Sequence, residues 1–244
     1  MFAFVTTNIT GTFSSLVDSS SLWTVLVDTT FGRISLFRIA LMCVIVIVAT
    51  TTAKTPNWTC IWLSALFLAT LAGVGHTQVE DGFSYAVHVI ADGIHLLAAG
   101  AWLGGLIPLG YIVSRSVLLH STSAAKEAED AAIHFSDVGY AAVAALIGSG
   151  VINSWFLVGS IDHLFDTSYG RLLLAKLFLF AGMLLLAAAN RFWIVPGVSA
   201  RACYGGGREM LQQLRRHVLA EQALGVIVLL TVSILGTMQP GIGQ

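Results

Sequence analysis

The sequence predicts an all-α integral membrane protein: a bundle of about six transmembrane helices with a short amphipathic N-terminal segment. Of its 244 residues, 56% are hydrophobic and only 10% are charged, whereas soluble domains carry about 25% charged residues. The charged residues are also separated by long uncharged runs, and about 20 apolar residues are enough to cross a bilayer. This composition argues against a soluble enzyme or a nucleic-acid binder, so the lipid bilayer is the expected partner and no nucleic acid is expected.

Six uncharged runs, extended to their expected helix ends, predict six spans. We place the spans at residues 34–53, 59–76, 85–113, 134–158, 170–193 and 217–238. Residues 1–30 are expected to form a periplasmic or interfacial segment, and residues 31–240 the transmembrane domain. The first 30 residues lack the basic start of a signal peptide. Within them, residues 22–27 are too few to span and favour an interfacial helix.

The basic residues predict the orientation of the bundle. Lys and Arg in short loops mark the cytoplasmic side of a membrane. The loops after the first, third and fifth spans hold eight of the 12 basic residues: Lys54, Arg115, Lys126, Arg191, Arg201, Arg208, Arg215 and Arg216. The opposite loops are acidic and hold Glu80, Asp81, Asp162 and Asp166. Both termini are therefore predicted to be periplasmic.

A short repeat precedes the first and fifth spans. The stretch DTTFGRISLFR at residues 28–38 matches DTSYGRLLLAK at residues 166–176, with five identical positions. Both copies enter their span from the same side, so the repeat is parallel. Hydroxyl side chains are favoured as helix N-caps, and we expect Thr30 and Ser168 to cap the two helices.

The same repeat places a glycine and a basic residue at equivalent positions. Gly32 and Gly170 are expected to permit close packing. Arg38 and Lys176 fall more than one turn inside their spans. They either extend toward the outer headgroups or face a polar cavity, because a charge exposed to lipid is costly.

The third span carries the most informative pattern in the chain. His88, Asp92 and His95 are spaced i, i+4 and i+7, so they project from one helical face and span roughly 10 Å of depth. His76 ends the second span on the same outer side. Imidazole and carboxylate ligands suit Cu(II) or Zn(II), and these four residues are the predicted metal site. Two other interpretations remain open. These side chains are hydrogen-bonded packing residues that bind no metal, or Asp92 is not a ligand and only orients His95.

Other motifs are expected to support this site or to pack the bundle. Asn153 and Trp155, near the outer end of the fourth span, lie level with His76. Gly100 and Gly104 form a small-xxx-small face that predicts close helix packing. The sequence has no Ser-His-Asp order, no paired carboxylates with catalytic spacing and no zinc-protease motif, so an enzyme is not expected.

Several motifs together resemble the CopD copper-resistance family of bacterial inner-membrane proteins. They are GH at 75–76, DGIHLLAAGAWLGGL at 92–106, FS at 135–136, GVINSW at 150–155, TSYGRLLLAK at 167–176 and NR at 190–191. The similarity runs from about residue 28 to residue 240, nearly the whole chain. Family members usually have about two more spans upstream, so this chain resembles an N-terminally short form, either a partial transporter or one that depends on a homo-oligomer.

The resemblance implies movement of copper, as Cu(I) or Cu(II), between periplasm and cytoplasm across the inner membrane. It also implies a periplasmic copper-binding protein as partner. The family's polar positions fall on His76, Asp92, His95, Asn153, Tyr169, Arg171 and Lys176. His88 is included only because it shares a helical face with Asp92 and His95. Arg38 is included in the expected pathway because it is equivalent to Lys176 in the repeat, and Trp155 because it lies near the outer end of the fourth span.

Two other functions remain open from the sequence. A b-type haem cytochrome needs histidines on facing helices; His76 with His88 or His95 would serve on the outer side, and His134 with His217 on the inner side. Asp92 fits poorly beside a haem. The other alternative is an accessory subunit that hands copper to another protein without transporting it.

Overall fold

The protein is described by a computed structural model that covers residues 23, 27–51, 58–72, 82–119, 121–202 and 207–243. Among these residues every regular element is a helix. The all-α fold class predicted from composition is therefore confirmed. His76, the acidic pair Glu80 and Asp81, and most of the expected interfacial segment at 22–27 lie outside the described residues.

The chain forms two compact units, Met1–Val74 and Gly75–Gln244. In the first unit, the structure describes α1 (Thr30–Thr51) and α2 (Trp58–Ala69). The elements described in the second unit are α3 (Gly82–Leu119), α4 (Thr122–Val158), α5 (Ile161–Asp166), α6 (Ser168–Ala189), a π-helical segment (Asn190–Ile194), α7 (Val195–Ala202), α8 (Gly207–Leu235) and a 3₁₀ turn (Gly241–Gly243).

Five of the described helices are long and apolar enough to cross a membrane, and the 12-residue α2 is a shorter apolar helix. Helices α3 and α4 continue well past the predicted ends at residues 113 and 134. The 38 residues of α3 extend about 57 Å, more than the roughly 40–45 Å of a bilayer with its headgroups. Charged residues ended the apolar runs at these points, but they do not break a helix.

Within the first unit, Arg38 joins α1 to the end of α2. Its Nε donates to Thr70 Oγ1 and its terminal nitrogen to the Thr70 carbonyl, both at 3.1 Å. Basic side chains often bind the unpaired carbonyls at a helix end in this way. Arg38 therefore binds the end of α2 through Thr70.

The core of the second unit lies along one face of α3. This helix packs most extensively on α4, and α8 packs on both α3 and α6. Trp102, Leu106, Leu109 and Val113, spaced as on one helical face, are buried there. Trp102 meets Phe180 of α6 edge-on, with ring centroids 5.7 Å apart.

The packing glycine of α3 differs from the predicted one. Gly104 is exposed, and a Cβ added to it would meet open space. A Cβ on Gly105 would instead lie 2.8 Å from the Phe135 ring of α4. The expectation for Gly104 is wrong because the face of α3 that packs on α4 contains Gly105 instead of Gly104.

The N-caps of the repeat are also one residue earlier than predicted. Thr29 Oγ1 accepts from Gly32 N, and Thr167 Oγ1 accepts from Gly170 N, both at 2.9 Å. Neither Thr30 nor Ser168 is the cap, since each is already the first residue of its helix. The two caps are equivalent positions of the repeat, so the repeated sequence forms the same local structure twice.

Candidate functional site

The polar residues of α3 lie where three helices of the second unit meet: the start of α3, the end of α4 and the start of α6. His88 is buried, at 3% exposure, while Asp92 and His95 are half-buried. The face predicted from the i, i+4, i+7 spacing is therefore turned toward the protein.

Each of the three α3 side chains has a contact on α4. The His88 ring stacks on Phe156, with centroids 4.8 Å apart and 10° between the planes. Asp92 Oδ1 accepts from Asn153 Nδ2 at 3.4 Å. These contacts orient the imidazole and the carboxylate.

His95 has a hydrogen-bonding contact with Ser149 of α4. His95 Nδ1 lies 3.0 Å from Ser149 Oγ, and that hydroxyl is also 2.5 Å from the Ala145 carbonyl oxygen. A hydroxyl has one hydrogen to donate, so when Ser149 donates to Ala145 it accepts from the His95 tautomer that carries its proton on Nδ1. In that tautomer Nε2 keeps its lone pair, the form in which imidazole binds a metal.

Helix α6 adds a cation and a phenol to the cluster. Lys176 interacts electrostatically with both Asp92 and His95, and His88 with Asp92. Tyr169, which is buried, interacts with Asp92 in the same way. Lys176 thus faces the interior polar groups, the second of the two predicted orientations. We call these residues the polar cluster: His88, Asp92, His95, Ser149, Asn153, Tyr169 and Lys176.

Other predicted site residues lie elsewhere. Trp155 is 73% exposed, so its side chain is on the outside of the bundle. Arg171 is exposed, and its contact is a long hydrogen bond of 3.4 Å to Ser168 Oγ. Arg38 belongs to the first unit. The polar cluster therefore unites only part of the predicted set.

In the described parts of the chain, no three His, Cys, Asp or Glu side chains are grouped closely enough to hold a metal ion. His88, Asp92 and His95 share a face but do not by themselves form a three-ligand centre. The fourth predicted ligand, His76, lies outside the described residues. The four-residue metal site consequently remains a prediction.

Some residues of interest had no recognised signal in the sequence. Ser149 and Phe156 are ordinary residues of an apolar helix, and only the packing of α4 on α3 shows their contacts. Glu221 directly precedes the last uncharged run of the sequence, yet it lies in the middle of α8 and is 1% exposed. Its position inside the predicted sixth span was the available clue.

The helices and the polar cluster define a multi-pass α-helical membrane protein with buried histidine and carboxylate groups. A family described as copper resistance protein D matches residues 129–235, and one described as the N-terminal domain of copper resistance protein D-like proteins matches residues 1–87. The chain belongs to the copper resistance protein D family. It is therefore a copper-handling membrane protein, and a haem cytochrome is not favoured.

Three relatives illustrate the similarity. The chain is 32% identical over 230 residues to the inner membrane protein YebZ of Escherichia coli K12, covering 94% of this chain and 76% of that one. It is 32% identical over 179 residues to copper resistance protein D of Pseudomonas syringae pv. tomato, covering 73% and 57%. It is 31% identical over 179 residues to the copper transport protein CutJ of Bacillus subtilis 168, covering 72% and 30%. No solved structure matches the chain.

Proposed function

We propose that this protein binds copper at the polar cluster, in the bacterial inner membrane, and moves it across the membrane. The names of its relatives support copper, transport and the inner membrane. The distribution of Lys and Arg supports a periplasmic position for the cluster, because the cluster lies at the end of the bundle away from the basic loops.

The observation that carries this proposal is the hydrogen bond between His95 and Ser149. With its Nδ1 proton donated to Ser149, His95 would keep a lone pair on Nε2 for a metal. Asn153 holds Asp92 through Oδ1, so Oδ2 is the carboxylate oxygen available to copper. Together with His88 and the predicted ligand His76, these atoms would supply the ligands.

Lys176 gives the site a way to release copper. Lys176 interacts electrostatically with Asp92. A charged ammonium group at this position would repel a copper ion on Asp92 and weaken its binding. A transported ion must bind strongly enough to enter and weakly enough to leave, and a cation beside the ligands meets that requirement.

Metal analysis of the detergent-purified full chain tests the copper site. We expect bound copper in the wild type and loss of most of it in His95→Ala. His134→Ala is the matched control, because His134 is exposed on α4 and bonds to the Asp130 carbonyl of its own helix. A His95→Ala protein that binds copper with wild-type stoichiometry and affinity would show that the site is wrongly assigned.

Copper uptake into sealed liposomes containing the protein distinguishes transport from hand-over. Uptake by the wild type that is lost in His95→Ala supports a transporter. Copper binding without uptake supports the accessory subunit, which passes copper to a periplasmic partner. An absorbance spectrum without a Soret band is expected in both cases, since a bound haem would produce one.

A further inference from the structure

A second polar site lies in the other half of the second unit, away from the polar cluster. Glu221 of α8 is 1% exposed and Asn190 is 8% exposed. Asn190 Nδ2 donates to Glu221 Oε1 at 2.7 Å. Among the described residues, no hydrogen-bond partner reaches Glu221 Oε2 or Asn190 Oδ1. Buried polar atoms of this kind usually have a partner, so two oxygen atoms here need an explanation.

Asn190 lies at an irregularity in the backbone. It begins the π-helical segment between α6 and α7, where the backbone N–H of Val195 bonds to the Asn190 carbonyl. Single π-helical turns are rare and occur frequently at functional sites. The wider turn is thus found at the residue that contacts the buried carboxyl group.

Both side chains line a cavity of about 160 Å³. Ser136 and Tyr140 of α4 also line it, and Tyr140 is 53% exposed, so the cavity reaches the outside of the bundle. A water molecule occupies about 30 Å³ in the liquid. The cavity therefore has room for several water molecules beside Glu221.

The cation that lines the cavity beside Glu221 is already engaged. Arg191, which lines the cavity, pairs with Asp137 of α4 at 3.3 Å and lies 6.0 Å from the Tyr140 ring centroid. On its own helix, His217 lies one turn before Glu221. Helices α3 and α7 contribute only apolar side chains to the lining: Trp102, Leu109 and Val195.

A buried carboxylate that has one neutral amide donor and no paired cation would be costly. A proton on the carboxyl group removes this charge. We propose that Glu221 is a proton-binding site: it holds a proton in the structure described and exchanges it with water in the cavity. On release, the O–H bond breaks, the proton passes to water, and Asn190 Nδ2 continues to bond the carboxylate.

Labelling with dicyclohexylcarbodiimide in native membranes tests this proposal. The O–H of a protonated carboxyl group adds across a C=N bond of this apolar reagent, and the adduct rearranges to a stable N-acylurea that retains all the atoms of both reactants. Mass spectrometry of the digested chain should locate one label on Glu221 at neutral pH. The label should decrease as the pH is raised and be lost in Glu221→Gln.

Glu209→Gln is the control, because Glu209 lies on the same helix and is exposed. It should leave the labelling of Glu221 unchanged. Absence of a label on Glu221 in the wild type at neutral pH would overturn the proposal, and this result needs no variant to fold.

A second readout is the infrared spectrum of the purified chain. We expect a protonated carboxylic acid band at neutral pH that is missing in Glu221→Gln, whose melting temperature stays close to that of the wild type because a neutral amide replaces a neutral acid. A Glu221-dependent carboxylate band in its place would overturn the proposal.

Discussion

One hydroxyl group on α4 contacts the ring of His95. Ser149 Oγ lies 3.0 Å from Nδ1 and 2.5 Å from the Ala145 carbonyl oxygen. Donation of the hydroxyl hydrogen to Ala145 favours the His95 tautomer with its proton on Nδ1 and with Nε2 unprotonated. In metal sites, the group that bonds the second imidazole nitrogen orients the ring and makes it more basic.

Ser149→Ala is expected to weaken copper binding without removing it. The ring would lose the acceptor for its Nδ1 proton, and loss of such a contact typically lowers metal affinity by about 10–100-fold. Copper titration of the purified full chain measures this change.

Ser136→Ala is the matched control for that titration. Ser136 is on the same helix and donates to the Ala132 carbonyl at 2.8 Å, but it lies outside the polar cluster. We expect it to leave copper affinity unchanged. Equal affinities for Ser149→Ala and the wild type would mean that Ser149 does not orient a ligand.

At the level of single elements, the repeat defines how two helices begin. In both copies a threonine caps the helix and a glycine lies three residues later. Gly170 also has no room for a side chain, because an added Cβ would collide with the backbone carbonyls of His163 and Leu164 in α5. The short α5 can therefore fold directly against the start of α6, which carries Tyr169 and Lys176.

Thr167→Ala should lower the free energy of unfolding by about 1 kcal/mol, the usual cost of losing an N-cap. Gly170→Ala should lower it further, because α5 and α6 would have to separate. Thermal unfolding in detergent measures both effects.

Ser168→Ala provides the comparison for the cap. Ser168 is adjacent to Thr167, and its side chain has only a long contact with Arg171, so we expect little change in stability. If Ser168→Ala destabilised the protein more than Thr167→Ala, the cap would be wrongly assigned.

At the largest scale, the polar cluster and Glu221 lie toward opposite ends of the helix bundle in the second unit. The cluster is found where α3 begins and α4 ends, and Glu221 lies beside the end of α6. The positive-inside rule predicts that the cluster faces the periplasm and that the cavity at Glu221 faces the cytoplasm.

Reporter fusions after Gln244 test this orientation. With a periplasmic C-terminus, alkaline phosphatase fused there should be active, while a green fluorescent protein exported in unfolded form should stay dark. Fusions at residues 203–206, between Arg201 and Arg208, should show the reverse. If the green fluorescent protein fusion fluoresced and the phosphatase fusion were inactive, the C-terminus would be cytoplasmic. The bundle would then have the opposite orientation, with the polar cluster on the cytoplasmic side.

The residue pattern alone predicted the bilayer environment, most of the helices, the repeat and the inward face of α3. Each of these properties depends on composition or on the spacing of residues within one helix, so it can be predicted from residues that are close together in sequence. The spacing of His88, Asp92 and His95 on one face is such a property, and it is confirmed by their position toward the protein interior.

Contacts between helices were decided only by the tertiary structure. The rotation of each helix about its axis decides which side chains meet. It determines that Gly105 packs instead of Gly104 and that Trp155 is exposed. It also brings Ser149 to His95 and buries Glu221 beside Asn190. That rotation is set by the side chains of neighbouring helices, which are distant in sequence. A local period can show that residues share a face, but it cannot show which residue of another helix that face will meet.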